Sequence, residues 1–147
     1  MSKIFLFSFF LFNSLMAISV NNDNGSDKEN FKDGSPKYEI SYKNNLKHGK
    51  EIFWYESGQK KMESHFIDGI ENGSWTQWYK NGQIKLKITY KNGKKNGLWN
   101  QWYKNGQLKS NVEFINGIKQ GVETIWNSNG SIQSRDTYLN GKVTDKN

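Results

Sequence analysis

The chain has 147 residues, a one-domain length, with 21 basic and 14 acidic side chains, a formal charge of +7 and no cysteine. Without cysteine there is no thiol nucleophile and no disulfide framework, so packing alone must hold the fold. Nearly all the basic charge is lysine and Arg135 is the sole arginine; guanidinium forks are the groups preferred for bidentate grip on phosphate, so specific nucleic-acid binding is not expected.

In chain order, residues 1–19 carry the pattern of a signal peptide. Lys3 is the only charge there, followed by the apolar run Ile4 to Phe12, broken only by Ser8, and a second apolar stretch from Leu15. A short basic head before a short apolar segment directs export. Ala17-Ile18-Ser19 fits a small-x-small site, which places the cut after Ser19 and the product outside the cytosol: secreted, periplasmic or on the cell surface. An uncleaved anchor is the alternative, weakened because Asn13 and Ser14 interrupt a run that needs about twenty apolar residues to span a bilayer. Loss of Lys3 leaves 20 basic and 14 acidic groups, or +6. Residues 20–30 contain NNDNGSDKEN, have no apolar pattern, and read as a disordered linker.

From about residue 31 to 142 the chain repeats every 24 residues. Trp54, Trp78, Trp102 and Trp126 share one column. Gly58, Gly82, Gly106 and Gly130 share another, with Gly34 in phase. Gly49, Gly73, Gly97 and Gly121 form a third, and Gly69, Gly93, Gly117 and Gly141 a fourth. Tyr42, Phe66, Tyr90, Phe114 and Tyr138 form an aromatic column. Within the unit 73–96, Ile84, Leu86, Ile88 and Tyr90 alternate with Lys85, Lys87, Thr89 and Lys91. That period of two is a half-buried strand. Asn81-Gly82 between two such runs is a hairpin signal, because a tight turn needs positive φ. Three glycine columns per unit leave segments too short for a helical stripe. The predicted fold is all-β: an elongated antiparallel meander of hairpins, two strands and two turns per unit, with Pro36 beside the edge strand and a frayed polar tail at 143–147. One unit buries too little to fold alone, so units must stack.

Which face carries the Trp column depends on the turn. A two-residue turn at Asn81-Gly82, the commoner hairpin form, sets Tyr79 opposite Ile84, Gln77 opposite Leu86 and Trp75 opposite Ile88. Trp78 then stands on the other face among Lys85, Lys87 and Thr89. A three-residue turn with a glycine bulge shifts the pairing by one and sends Trp78 to the apolar face. In the first register Trp54, Trp78, Trp102 and Trp126 interleave with Lys61, Lys85 and Lys109 as the candidate binding stripe. Gly58, Gly82, Gly106, Gly130, Gly73, Gly97 and Gly121 are structural turn glycines. The stripe has two readings. It is structural cover, with lysine stems packed on indole, or it is a platform that stacks on sugar rings or anchors a partner's side chains.

No catalytic constellation stands out. His48 and His65 fall at different places in the unit without a carboxylate cluster, which argues against a metal site. Glu51, Glu63 and Glu71 are scattered, and no serine has a histidine–aspartate set. The expectation is a non-enzymatic module with no cofactor. Its partner is another protein, or else a cell-wall glycan or an anionic surface such as lipid headgroups.

The pattern G-x-W-x-x-W-Y-x-x-G-x-x-K, seen from Gly73 through Trp75, Trp78, Tyr79 and Gly82 to Lys85 and again from Gly97 through Trp99, Trp102, Tyr103 and Gly106 to Lys109, resembles the MORN-repeat variant. The first unit has Glu51, and the last Glu123, at the position of the first Trp, and the last has Asn127 for Tyr; such degeneracy suits capping units. The resemblance implies a sheet of hairpins used for protein–protein or membrane-lipid contact. Some bacterial relatives are antitoxins of toxin–antitoxin pairs, a cytosolic role at odds with the export signal here. Choline- or glucan-binding wall repeats are a poorer likeness, since their unit is shorter.

Overall fold

The structure, a computed structural model, describes residues 24–146. The predicted signal segment, residues 20–23 and Asn147 lie outside the described residues. The described part contains no helix and builds one antiparallel sheet of 13 strands. They are β1 (Asn24–Asn30), β2 (Pro36–Lys43), β3 (Leu46–Trp54), β4 (Lys60–Ile67), β5 (Ile70–Glu71), β6 (Gly73–Trp78), β7 (Ile84–Lys91), β8 (Lys94–Lys95), β9 (Gly97–Trp102), β10 (Leu108–Ile115), β11 (Ile118–Trp126), β12 (Ile132–Leu139) and β13 (Lys142–Lys146). Neighbours in sequence are neighbours in space, β1-β2-β3-β4-β6-β7-β9-β10-β11-β12-β13, with β5 paired to β4 and β8 to β7.

The sheet extends past the predicted limits at both ends. Residues 24–30, read as part of a disordered linker, form β1 and pair with β2 from Asn24↔Lys43 onward. Most of the predicted frayed tail lies in β13, paired with β12. Pro36 therefore opens the second strand and not the edge strand. Its missing N–H is tolerated because it sits at the first residue, where the register is broken beside Asn30.

Two kinds of turn alternate along the chain, one at each margin of the sheet. The Asn81-Gly82 turn has a three-residue loop: Tyr79 N–H donates to the Gln83 carbonyl at 2.8 Å and Gly82 N–H to the Tyr79 carbonyl at 3.0 Å. Of the loop residues only Gly82 has positive φ (83°), and the Asn81 carboxamide oxygen accepts from Gln83 N–H at 3.2 Å. The same bonding recurs at 31–35, 55–59, 103–107 and 127–131. The tight turn with positive φ at both central residues lies at the opposite margin, at Asn92-Gly93 (50° and 72°), and recurs at Asp68-Gly69, Asn116-Gly117 and Asn140-Gly141.

The register follows. Trp78 pairs with Ile84, but Gln77 pairs with Leu86 and Trp75 with Ile88. Lys85 is the extra residue of a bulge that restores, within the strand, the pairing a two-residue turn would have given. The preferred two-residue reading is thus corrected at the turn and right in the strand body. Ile84 and Lys85 exchange faces relative to it.

Strand alternation then assigns the faces. One face, called here the floor, carries the paired residues Trp75 and Ile88, Gln77 and Leu86, Trp99 and Val112, and Gln101 and Ser110. The reverse face carries Trp78 and Ile84, Trp102 and Leu108, and the row Thr76, Lys87, Asn100 and Asn111. A single layer buries little. Ile88 and Val112 are the buried apolar residues, both on the floor, joined there by Glu51, Ser64 and Ser110; Thr76 and Thr124 are the buried positions of the reverse face.

Candidate interaction surface

Trp54, Trp78, Trp102 and Trp126 end strands β3, β6, β9 and β11 and stand opposite Lys60, Ile84, Leu108 and Ile132. They form one row on the reverse face, and all four are half-buried. Equivalent positions lie two strands apart, a spacing of about 9.5 Å. The lysines expected between them do not join that row. The ammonium of Lys61 lies 5.9 Å from the Tyr55 ring centroid, Lys85 5.8 Å from Tyr79 and Lys109 5.5 Å from Tyr103. Each Tyr follows its Trp in sequence and so faces the floor. The structure therefore separates the predicted stripe into a Trp row on one face and a Lys–Tyr row on the other. Lys60 is the lysine that approaches the indole of Trp78, at 6.0 Å.

The tyrosines have a role that sequence reading did not assign. Tyr55 Oη–H donates to the Trp78 carbonyl at 2.8 Å, Tyr79 to that of Trp102 at 2.8 Å and Tyr103 to that of Trp126 at 2.7 Å. Each hydroxyl reaches 23 residues along the chain, into the next unit. Asn81 and Asn105 add a second clasp, donating from Nδ2 to the carbonyls of Lys104 and Ser128 at 2.9 and 3.0 Å. At the other margin Gly69, Gly93, Gly117 and Gly141 donate N–H to the carbonyls of Lys47, Glu71, Lys95 and Lys119. Both margins are thus stitched by one hydrogen-bond pattern per repeat. These bonds satisfy turn groups that the strand ladder leaves over.

The floor has different end units. Glu51 and Glu123 occupy the column that holds Trp75 and Trp99 in the middle. Glu51, 7 % exposed, accepts from Lys47 and, at 3.0 Å, from Ser64 Oγ. Glu123 accepts from Lys119 with both oxygens, at 2.8 and 2.6 Å. Burial opposes the charge on Lys119, but the hydrogen bond and charge of Glu123 outweigh it and hold the ammonium above its usual pKa. Glu63 is similar. Burial raises it, yet the Lys60 hydrogen bond with the charges of Lys60, Lys50 and His65 leaves it below the ordinary carboxylate value.

The histidines do not meet. His48 Nδ1 lies 3.1 Å from Asp68 and His65 Nδ1 3.0 Å from the Ser74 carbonyl. Among the described residues no group of three or more His, Cys, Asp or Glu is placed to hold a metal ion.

Residues 47–68, 71–92, 95–116 and 119–140, together more than half of the chain, match the family described as MORN repeat variant. The chain belongs to this MORN repeat family. Each matched block ends at the first residue of a tight turn, Asp68, Asn92, Asn116 or Asn140, so the MORN unit is one long hairpin with its link strand. No curated protein matches the chain. The MORN repeat fold is a non-catalytic scaffold, and MORN repeats generally mediate protein–protein contact.

Proposed function

We propose that this chain is an exported, non-catalytic scaffold that binds another protein through its extended sheet. The observation that carries the reading is an aliphatic cluster on the reverse face, beside the row of Trp102 and Trp126. Leu98, Ile115, Ile118 and Val122 project from β9, β10 and β11 and are each about half exposed, 57 % in the case of Leu98. Exposed apolar groups gathered on one face of a sheet mark a contact surface, here with Glu113 standing opposite Leu98 among them. The adjoining indoles supply large, stiff contact area of the kind that dominates binding energy. Export is supported by the basic head and apolar run of residues 1–19.

The test is crosslinked capture by the tagged protein from the native envelope fraction, with Leu98→Ser/Val122→Ser as comparison. Both side chains are exposed, so the double variant folds. The proposal expects one specific protein, captured at least tenfold less by the variant. Recovery of nothing specific, or equal recovery by both, would end it. Retention on insoluble wall material in place of a protein would turn the assignment to a glycan ligand.

A further inference from the structure

Between Glu71 and Glu113 the chain holds eight lysines and no acidic residue. The ion pairs in 28–68 and at Lys119–Glu123 lie outside that stretch. Between those two residues the middle of the sheet is therefore a basic belt, bounded on the floor by Glu71, which stands one unit before Lys95 in the same column and beside Tyr90. A field of this kind attracts a partner of opposite sign.

The floor gives this belt a shape. Its centre is apolar, with Trp75 and Trp99 paired to the buried Ile88 and Val112. Lys85 and Lys109 stand along one margin, held against Tyr79 and Tyr103. Lys95 stands along the other, 5.1 Å from the Phe114 ring centroid. The end units show what is missing. Lys47 and Lys119, in the same column as Lys95, are neutralised by Glu51 and Glu123 four residues on. At Lys95 that place is Trp99. The substitution that completes the aromatic centre also leaves the ammonium unpaired.

We infer that the floor of the two middle units is a docking surface for an acidic, partly aromatic or aliphatic segment of a partner protein, with carboxylates meeting Lys85, Lys95 and Lys109 and apolar side chains lying over Trp75 and Trp99. A polypeptide fits better than a phosphate-bearing polymer. The cations are point charges without guanidinium forks, and the strip between them is apolar. The inference rests on the reading of the chain as a protein-binding scaffold and assigns a second contact, on the face opposite Leu98 and Val122.

The test uses the full chain and a fluorescein-labelled peptide of alternating Glu and Phe, read by fluorescence anisotropy at low and at physiological ionic strength. The wild type binds, and affinity falls with salt. Lys85→Gln/Lys95→Gln/Lys109→Gln weakens binding about tenfold, taking each exposed pair at the low worth such pairs have. Lys87→Gln/Lys91→Gln/Lys94→Gln removes the same charge from the reverse face and its margin, and changes affinity by less than about twofold. Equal weakening by both triples would reduce the effect to net charge and overturn the assignment, as would no binding by the wild type. Capture of phosphatidylserine vesicles in place of the peptide, with the same dependence on the floor triple, would assign the surface to a membrane and also overturn it. If the floor triple loses its β-sheet circular dichroism, Lys95→Gln alone replaces it, with about a twofold loss expected and no loss contradicting the site. Failure here leaves capture through Leu98 and Val122 unaffected, so the two readings fall separately.

Discussion

Tyr79→Phe isolates the clasp between units. The substitution keeps the ring, and with it the 5.8 Å approach of Lys85, but removes the hydroxyl that donates to the Trp102 carbonyl at 2.8 Å. That carbonyl belongs to the last residue of β9, at the mouth of a three-residue loop. Loss of a single neutral hydrogen bond in a part-buried site costs about 0.5–1.5 kcal/mol. For a chain of this size the melting temperature should fall by roughly 3–5 °C per kcal/mol. Tyr55 and Tyr103 make the same bond in separate units, and sites this far apart combine nearly additively. The triple Phe variant should therefore lose about three times as much as the single one. Urea unfolding followed by Trp fluorescence, with the slope unchanged and the midpoint lowered, is the assay. A triple variant within about 0.3 kcal/mol of wild type would refute the reasoning, since it would mean water serves the Trp carbonyls equally well.

Three further outcomes follow from the same geometry. Gly82→Ala should cost about 1–2 kcal/mol through its positive φ alone, because nothing lies within 4 Å of the added Cβ; Gly82→Asn should recover most of that in the same urea series, and a neutral Ala variant would contradict the three-residue loop. Glu63 has a pKa lowered in the fold, so its contribution is present above the usual 4.5 and lost as pH falls through the depressed value; Glu63→Gln should flatten the decline of melting temperature below that pH, and an unchanged slope would remove the Lys60–Glu63 pair from the account. Deletion of residues 73–96 joins Asn72 to Gly97 in phase and should leave a folded sheet whose urea slope is smaller by about one fifth; an unfolded product would show that the units are not interchangeable.

Much of this fold could be read before any coordinates. The period, the aromatic columns and the alternation in 84–91 depend on local chemistry: one face half-buried, and glycine where φ must be positive. The turn types could not be read the same way. Asn81-Gly82 and Asn92-Gly93 are the same dipeptide, yet the first closes a three-residue loop and the second a two-residue turn. The Asn81 side chain bonds to Gln83 N–H and to the next unit's Lys104 carbonyl, yet the same loop closes at 55–59 with Ser57 in that place, so the dipeptide does not decide the turn. β1 gives no such signal because an edge strand exposed on both faces carries no apolar period; NGSDKEN pairs through its backbone and through polar ties of Asp27 to Tyr38, Lys28 to Glu39 and Glu29 to Lys37. The clasping hydroxyls had a visible signal. The column holds Tyr55, Tyr79 and Tyr103 in three successive units, with Phe31 before them and Asn127 after, whereas the other aromatic column alternates Tyr42, Phe66, Tyr90, Phe114 and Tyr138. Ring burial alone would have accepted either. The split of the Trp and Lys rows onto opposite faces turns on the one-residue bulge at Lys85, which no periodicity announces.

The claim on which every surface assignment rests is that successive units advance along one open sheet by two strand widths each. Cysteines introduced at the exposed positions Glu56, Lys104 and Ser128 can be spin-labelled cleanly because the chain has none of its own. Pulsed electron paramagnetic resonance should then give distances in proportion to the units spanned, near 19 Å for the two units between Glu56 and Lys104 and near 29 Å for the three between Glu56 and Ser128, taking about 4.8 Å per strand. A 56–128 distance equal to or shorter than the 56–104 distance would mean that the sheet closes on itself, and neither face would then be open as described.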